Sequence, residues 1–463
     1  MPADPITVVG ISPAGWRNLS SRAQEALQSA EVILGSPRQL ALLPTPHPTP
    51  PPTHPPAAPS TPPAAAPSTP PAAAPSTPPP VVPSTPAGPV SASGPPAAPS
   101  RSSALDPSGS LGAERVAWGS PLSEALPRLL EEYRGRRICV LASGDPTFHG
   151  IGTTLVRLLG ADAVRVIPQP SSVSLACARL GWAQDQVQVV SLVSNPVERL
   201  HPHLQPGRQV VILSRGAQTP AEVAALLVSR GYGASEFTVL EQLSGPAERV
   251  RTTTAADWSD DVDPLNVIAV RCAPDAPVLS TSPGLPDDAY ENDGQLTKRE
   301  VRAVTLSRLA PVPGQLLWDI GGGAGSIAIE WSRHHPSCRA IAVERDPDRA
   351  KRLERNAAAL GAAVDVVEGA APAVLDGLEP PDAIFIGGGA TAAGMFDACW
   401  NALRPGGRLV ANGVTLETES LIAQWYKAVG GDLVRLDVQR ASAVGTMTGW
   451  RPAMPVTIWS VTK

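Results

Sequence analysis

The chain has 463 residues, 43% of them hydrophobic and 17% charged, and 37 basic against 42 acidic side chains leave a net charge of −5. That length exceeds one ordinary core and points to two or three domains. A mildly acidic balance supplies no basic field for nucleic acid, and no run nears the roughly 20 apolar residues of a membrane helix, so neither is an expected partner. The opening MPADPITVVGISPAGW lacks the basic and long apolar parts of a signal peptide. Cys139, Cys177, Cys272, Cys338 and Cys399 form no C-x-x-C pair, and the seven histidines show no ligand spacing. Free thiols in the cytoplasm are therefore expected, and no metal.

In chain order, the pattern predicts a strand over 6–9, a helix over 20–30 and a strand over 31–34. From Pro44 the material changes. PSTP recurs at eight-residue spacing from Pro59 to Pro86, and no Asp, Glu, Lys or Arg occurs between Pro44 and Ser100. Proline removes backbone donors, so residues 44–112 are expected to form a solvated, polyproline-II-biased disordered insert. The PSTP repeats themselves lack the flanking Arg or Lys that a proline-rich docking ligand usually carries.

With the insert excised, the flanks join into one α/β pattern: a strand over 115–117, a helix over 121–133 and a strand over 137–142. Further strands are expected over 164–167, 187–191, 209–213, 237–240 and 266–271. One domain thus comprises 1–43 plus 113–272, interrupted at a surface loop. Residues 273–295, rich in Pro, Gly, Asp and Ser, read as a linker. A second α/β domain, 296–463, has strands expected near Leu316, Ala340, Val364, Ala383, Arg408, Asp432 and Val456, which suits a doubly wound sheet.

The run QLLWDIGGGAGSIAIEWSRHHPSCRAIAVERD from Gln315 carries the strongest chemical signal. It reads as a buried strand, a glycine turn, a helix, and a second strand ending in Glu344. Glycines let a ligand approach the backbone N–H groups at the helix N-terminus, and a carboxylate at the next strand end can accept hydrogen bonds from a ribose diol. The geometry predicts an adenosine ligand. A dinucleotide pattern would want Gly or Ala at 326, where Ser326 stands; the spacing present is Gly321, Gly323, Gly325, preceded by Asp319. That form resembles the first motif of the Rossmann-like S-adenosylmethionine (SAM) methyltransferases. An NAD-dependent oxidoreductase would use the same crevice, but no His, Tyr or Lys constellation for hydride transfer is evident.

Wider stretches carry further resemblances. LTKREVRAVTLSRLAPVPGQLLWDIGGGAGSIAIEW and TGWRPAMPVTIW are similar to the opening and closing segments of the C15-methylating, decarboxylating component of cobalamin biosynthesis. The resemblance implies SAM contacts at Thr297, at Gly321, Gly322, Gly323, Ala324 and Gly325, at Glu344, and at Gly369, Ala370 and Ala371. In the first domain TVVGISPAGW, LASGDPTFHGIG and PSSVSLACARLGW resemble three SAM loops of the tetrapyrrole methylases. They place Gly10, Ser12 and Gly15, then Gly144, Asp145 and Pro146, then Ser171 and Ser172 at a second SAM site. Ser12 stands where Gly is usual and His149 where Tyr is common. On its own, Gly144–Asp145–Pro146 also reads as an ordinary turn capped by Asp145.

Together the halves resemble the precorrin-6Y C5,15-methyltransferase (decarboxylating) family: a two-lobed tetrapyrrole-methylase domain fused to a Rossmann-like SAM domain. The resemblance implies methylation at C5 by the first half, methylation at C15 and loss of CO2 from the ring C acetate by the second, giving precorrin-8, and a homo-oligomer. The cobalt-containing substrate of the anaerobic pathway is the alternative within that class. A non-catalytic corrinoid carrier would not require two SAM sites. A polycarboxylate needs cationic anchors, and the candidates are Lys298, Arg299, Arg302, Arg440 and Arg451, with His149 as a further substrate contact. Arg299 and Arg302 read equally as the solvated face of a helix over 297–309.

Overall fold

The computed structural model describes residues 5–45, 111–259 and 261–463. The proline-rich repeats, and with them the expected disorder, lie outside these residues. On either side of the repeats the chain is tied together: the Arg115 guanidinium donates to Pro44 O, and Leu43 and Leu111 share one core cluster. The chain therefore leaves and returns at one place, between paired strands.

The first half contains two five-stranded sheets. β1 (Ile6–Ile11), β2 (Val32–Gly35), β3 (Glu114–Ala117), β4 (Ile138–Ser143) and β5 (Val164–Ile167) form a parallel sheet in the order β3-β2-β4-β1-β5. β6 (Gln188–Ser191), β7 (Gln209–Leu213), β8 (Glu236–Glu241), β9 (Arg249–Thr254) and β10 (Asn266–Arg271) form a mixed sheet in the order β6-β7-β10-β8-β9. Helices start where short polar side chains can take up free N–H groups. Ser20 accepts from Ala23 N, Ser36 and Gln39 close a capping box, and Ser171 accepts from Ser174 N. Strand β9 and the short helix Pro37–Ala41 escape the sequence pattern, because β9 (RVRTTT) has a single apolar residue and the helix has five residues.

The second half is a seven-stranded sheet. Its strands are β11 (Leu316–Ile320), β12 (Arg339–Glu344), β13 (Val364–Glu368), β14 (Ala383–Ile386), β15 (Arg408–Gly413), β16 (Asp432–Leu436) and, beyond a separate hairpin of β17 (Gln439–Val444) and β18 (Met447–Pro452), β19 (Val456–Thr462). The order is β13-β12-β11-β14-β15-β19-β16, with five parallel strands followed by antiparallel β19. The seven expected strands are all present, and strand order reverses between β11 and β14. Trp318, Trp331 and Trp459 are fully buried, and each indole N–H reaches a carbonyl, of Glu379, Arg339 and Gly430, so burial leaves no donor unpaired. Among the described residues no helix is long and apolar enough to cross a membrane.

The stretch read as a linker is packed against helices of the second half. Glu330, on the helix Ser326–His334, accepts from Gly284 N at 2.6 Å, Leu285 N at 3.0 Å and Tyr290 Oη at 2.8 Å. Arg302 completes the cluster and is 0% exposed.

Candidate active site

At the carboxyl edge of the second sheet, where strand order reverses, lies a cavity of about 960 Å³. Open parallel sheets bind ligands at this place, because the reversal parts the two flanking loops. One flank is the glycine turn. Gly321, Gly323 and Gly325 have φ of 73°, 57° and 81°, a region that side chains disfavour. A Cβ on Gly321 would stand 2.8 Å from Gly388 Cα and one on Gly325 2.6 Å from Leu353 Cγ, whereas one on Gly323 would meet nothing nearer than 3.9 Å. Gly321 and Gly325 thus permit close packing of the turn, and Gly323 leaves the backbone bare toward the cavity.

Glu344 ends β12 and lines this flank, buried. Its Oε2 accepts from Gly323 N at 2.8 Å and its Oε1 from Asp346 N at 3.0 Å. A carboxylate oxygen offers two lone pairs, so both oxygens keep capacity for a diol while fixing the turn. Asp319 sits one residue before the end of β11, 1% exposed, and accepts from Ala328 N at 3.1 Å. Burial, opposed by that hydrogen bond and reinforced by the Glu344 carboxylate, lifts its carboxyl to about 7. Thr297, Ala324, Gly369, Ala370 and Ala371 also line the cavity.

The other flank was less visible in the sequence. Lys298, Glu300 and Arg440 line it, with Arg440 paired to Glu300. Arg451 does not line the cavity but lies opposite Arg440 across the β17–β18 hairpin, on the same face. Asn412, near the end of β15, lines it too. Its Nδ2 donates to Thr305 Oγ1 at 2.9 Å, and Thr305 Oγ1 donates to Val301 O, which fixes the amide and leaves Oδ1 buried without a partner. Asn412 was missed because nothing in the local sequence, VANGV, marks it.

Two anchor expectations need correction. Arg302 is enclosed: Nε donates to Glu330 at 2.6 Å, Nη1 to Asp287 and Thr297 O, Nη2 to Leu285 O, and the guanidinium lies over the Tyr290 ring. It clips the segment after β10 to the sheet and has no face left for a substrate. Arg299 is exposed and outside the cavity lining.

In the first half the three expected loops meet at the carboxyl ends of β1, β4 and β5. Gly144 N donates to Ile11 O at 3.2 Å and Gln169 N to Gly144 O at 3.3 Å. A Cβ on Gly10 would stand 2.0 Å from Gly144 O. Ser12 is buried and its carbonyl accepts from Gly15 N; Pro146 O accepts from Gly152 N. Asp145 Oδ1 caps its own turn, accepting from Thr147 N and Oγ1, and Ser171 caps the helix that Ser172 begins. His149 is exposed at φ 53°, edge-on to Phe148.

Residues 5–258 match the family model of tetrapyrrole (corrin/porphyrin) methylases, and residues 288–463 that of the precorrin methyltransferase domain. A precorrin-6Y C(5,15)-methyltransferase (decarboxylating) of Sinorhizobium sp is 50% identical over 350 residues, 75% of this chain and 84% of the relative. One of Mycobacterium tuberculosis (strain H37Rv) is 40% identical over 462 residues, 99% of this chain and 100% of the relative. A cobalt-precorrin-6B C(15)-methyltransferase (decarboxylating) of Salmonella typhimurium is 31% identical over 173 residues, 36% of this chain and 89% of the relative. With both family models matched in order and a relative aligned across nearly the whole length, the chain belongs to the family of decarboxylating precorrin-6Y C(5,15)-methyltransferases.

Proposed function

We propose that the chain binds two SAM molecules and methylates a metal-free precorrin-6Y, at C5 in the first half and at C15 in the second, where the ring C acetate also loses CO2. The observation that carries this reading is the continuity of the large cavity: one space joins Gly323 and Glu344 to Lys298, Asn412 and Arg440. Its adenosine flank lies over β11 to β13 and its cationic flank over β15 and the hairpin.

SAM supplies an already activated methyl group, so the protein's contribution is alignment, worth up to roughly 7–11 kcal/mol when the reacting atoms are held in line. Glu344 and the Gly323 backbone orient the adenosine end. Lys298 and Arg440 hold carboxylates of the macrocycle by charge-assisted bonds. A cation that stabilised the reacting carboxylate would hold back loss of CO2. The acetate that reacts would therefore face the apolar lining of Leu436, Val438 and Met454 rather than a cation. The electron pair left by CO2 passes into the conjugated imines of the substrate, and a proton completes the step.

For the first half we propose a SAM site formed by the loops of Gly10, Gly144 and Ser171. The expected homo-oligomer would form through the β17–β18 hairpin, whose Met447 and Trp450 are 78% and 73% exposed. The Sinorhizobium and Mycobacterium relatives are named for precorrin-6Y, without the cobalt that the Salmonella relative's name carries, and this supports the metal-free reading.

Titration calorimetry with SAM, followed by mass spectrometry of products from metal-free and cobalt-loaded precursors, tests the reading. Two equivalents of SAM, two methyl groups gained and one CO2 lost from the metal-free substrate are expected. One equivalent, or turnover of the cobalt form alone, would refute it.

A further inference from the structure

The seam between the two halves gathers positive charge. On the first half it is built by the 3-10 helix Val197–His203 and the turn before β7; on the second, by the carboxyl ends of the helices Ser326–His334 and Pro347–Leu360. Arg199 donates to Gly361 O at 3.3 Å and Pro336 O at 3.0 Å, and Arg230 donates to Ala359 O. The backbones touch: a Cβ on Gly361 would stand 2.1 Å from Glu198 O.

Beside this contact lies a second cavity of about 270 Å³. Arg199, Arg208, Arg333, His203, His334 and His335 line it, and among the described residues no Asp or Glu does. Arg333 is 3% exposed; its Nη1 donates to Leu360 O, its Nη2 reaches Leu279 O, and its Nε has no partner. The carboxylate that acts on Arg333 is Glu330, which is already held by Arg302, Tyr290 and two backbone N–H groups. Two helix ends contribute roughly half a negative charge each, about −1 against the full charges of Arg199, Arg208, Arg230 and Arg333. Glu198 on the same 3-10 helix adds one negative charge, and a surplus of cations still remains. Desolvation first, then Arg333 and Arg230 for His201 and Arg199, Arg208 and Arg333 for His203, hold both imidazoles at about 4, so neither adds charge at neutral pH.

We propose that this cavity binds a compact oxyanion of the phosphate class, which sits between the halves and clamps them. The volume falls below the roughly 300–1,000 Å³ of pockets for larger ligands, so a tetrahedral anion with its water fits and a macrocycle does not. Guanidinium groups match oxyanion geometry; Arg208, exposed at the cavity, is the donor for it, and the buried Arg333 adds its charge. The site is separate from the SAM cavity. Ser326 and Ile327 line the first and Ser332 and Arg333 the second, roughly 10 Å apart along one helix.

An anion bound only by the docked halves stabilises the docked state by mass action. The test is thermal unfolding of the full chain in millimolar inorganic phosphate against sodium chloride of equal ionic strength, with wild type, Arg208→Glu and Arg208→Lys. Phosphate is expected to raise the wild-type midpoint by a few degrees beyond chloride, Arg208→Lys to keep part of that rise, and Arg208→Glu to lose it while still binding SAM. Where Arg208→Glu fails to fold, Arg208→Ala takes its place. Proton NMR gives a second reading, because a bound anion should raise the titration midpoint of His203. An equal rise in chloride would reduce the effect to screening; a rise that survives loss of Arg208, or no rise at all, would overturn the site.

Discussion

In the first half Gly10 is walled in, since a Cβ there would stand 2.0 Å from Gly144 O and 2.8 Å from Gln169 N; in the second half a Cβ on Gly323 would reach open cavity, with 3.9 Å to its nearest neighbour. Gly10 lies near the end of β1 and Gly323 in the turn after β11, each at the carboxyl end of the first parallel strand of its half, and sequence spacing treats them alike. The structure separates two uses. Gly10 lets three loops close on one another through backbone hydrogen bonds, while Gly323 keeps a backbone uncovered for a ligand. The second half uses both kinds, because Gly321 meets Gly388 and Gly325 meets Leu353 at packing distance. The first site therefore depends on how loops are held together, and the second on what one turn leaves exposed.

The sharpest way to break that contrast is Gly10→Val. The obstructing atoms are backbone, so no side-chain rotation relieves them, and the ends of β1 and β4 must part at a cost of about 3 kcal/mol or more. The expected outcome is loss of C5 methylation and of one SAM equivalent, with C15 methylation and CO2 release retained. Calorimetry and product mass spectrometry read all three. Loss of CO2 release as well would show that the halves do not work independently.

What the sequence disclosed follows the same division. The turn from Gly321 to Gly325 and the carboxylate of Glu344 lie within one β-α-β unit, so about thirty consecutive residues carry both the geometry and the chemistry. Arg302 was open to misreading because its partners are Asp287 and Glu330, on other segments; a helical pattern gives the charge but not what folds over it. Asn412 gains its meaning from Thr305, more than a hundred residues earlier, and from the strand order that brings β15 beside β14. The β17–β18 hairpin escaped because its residues are mostly exposed, and without a buried face there is no alternation to read. In the first half the loops were legible in order, but their contact needed β1 to lie between β4 and β5.

Glu344→Ala sharpens the comparison from the other side. It removes a carboxylate that fixes Gly323 N and, in the proposed complex, receives the ribose. Hydrogen bonds to charged groups contribute about 1.5–3 kcal/mol, so SAM affinity in the second half should fall roughly 10- to 100-fold. C5 methylation should persist, because nothing in the first half touches Glu344. An equal fall at C5 and C15, measured under single-turnover conditions, would defeat the assignment of one carbon to each half.

The smallest expected effect concerns stability and belongs to the second half alone. Asp319 has its carboxyl raised from 3.8 to about 7, chiefly by burial. A group raised in the folded state favours folding when protonated, so its contribution is fully present below about pH 4 and is lost as pH rises through 7. Asp319→Asn keeps an oxygen for Ala328 N and removes the charge. Its stability relative to wild type should therefore grow between pH 5 and pH 8, by roughly 2–3 kcal/mol as an upper bound from the two pKa units spanned. Urea unfolding of both proteins at the two pH values measures the difference directly, and taking the difference cancels the other titrating groups they share. A constant offset would mean that Asp319 stays ionised throughout, and that the turn at Gly323 is held beside two carboxylates carrying charge together.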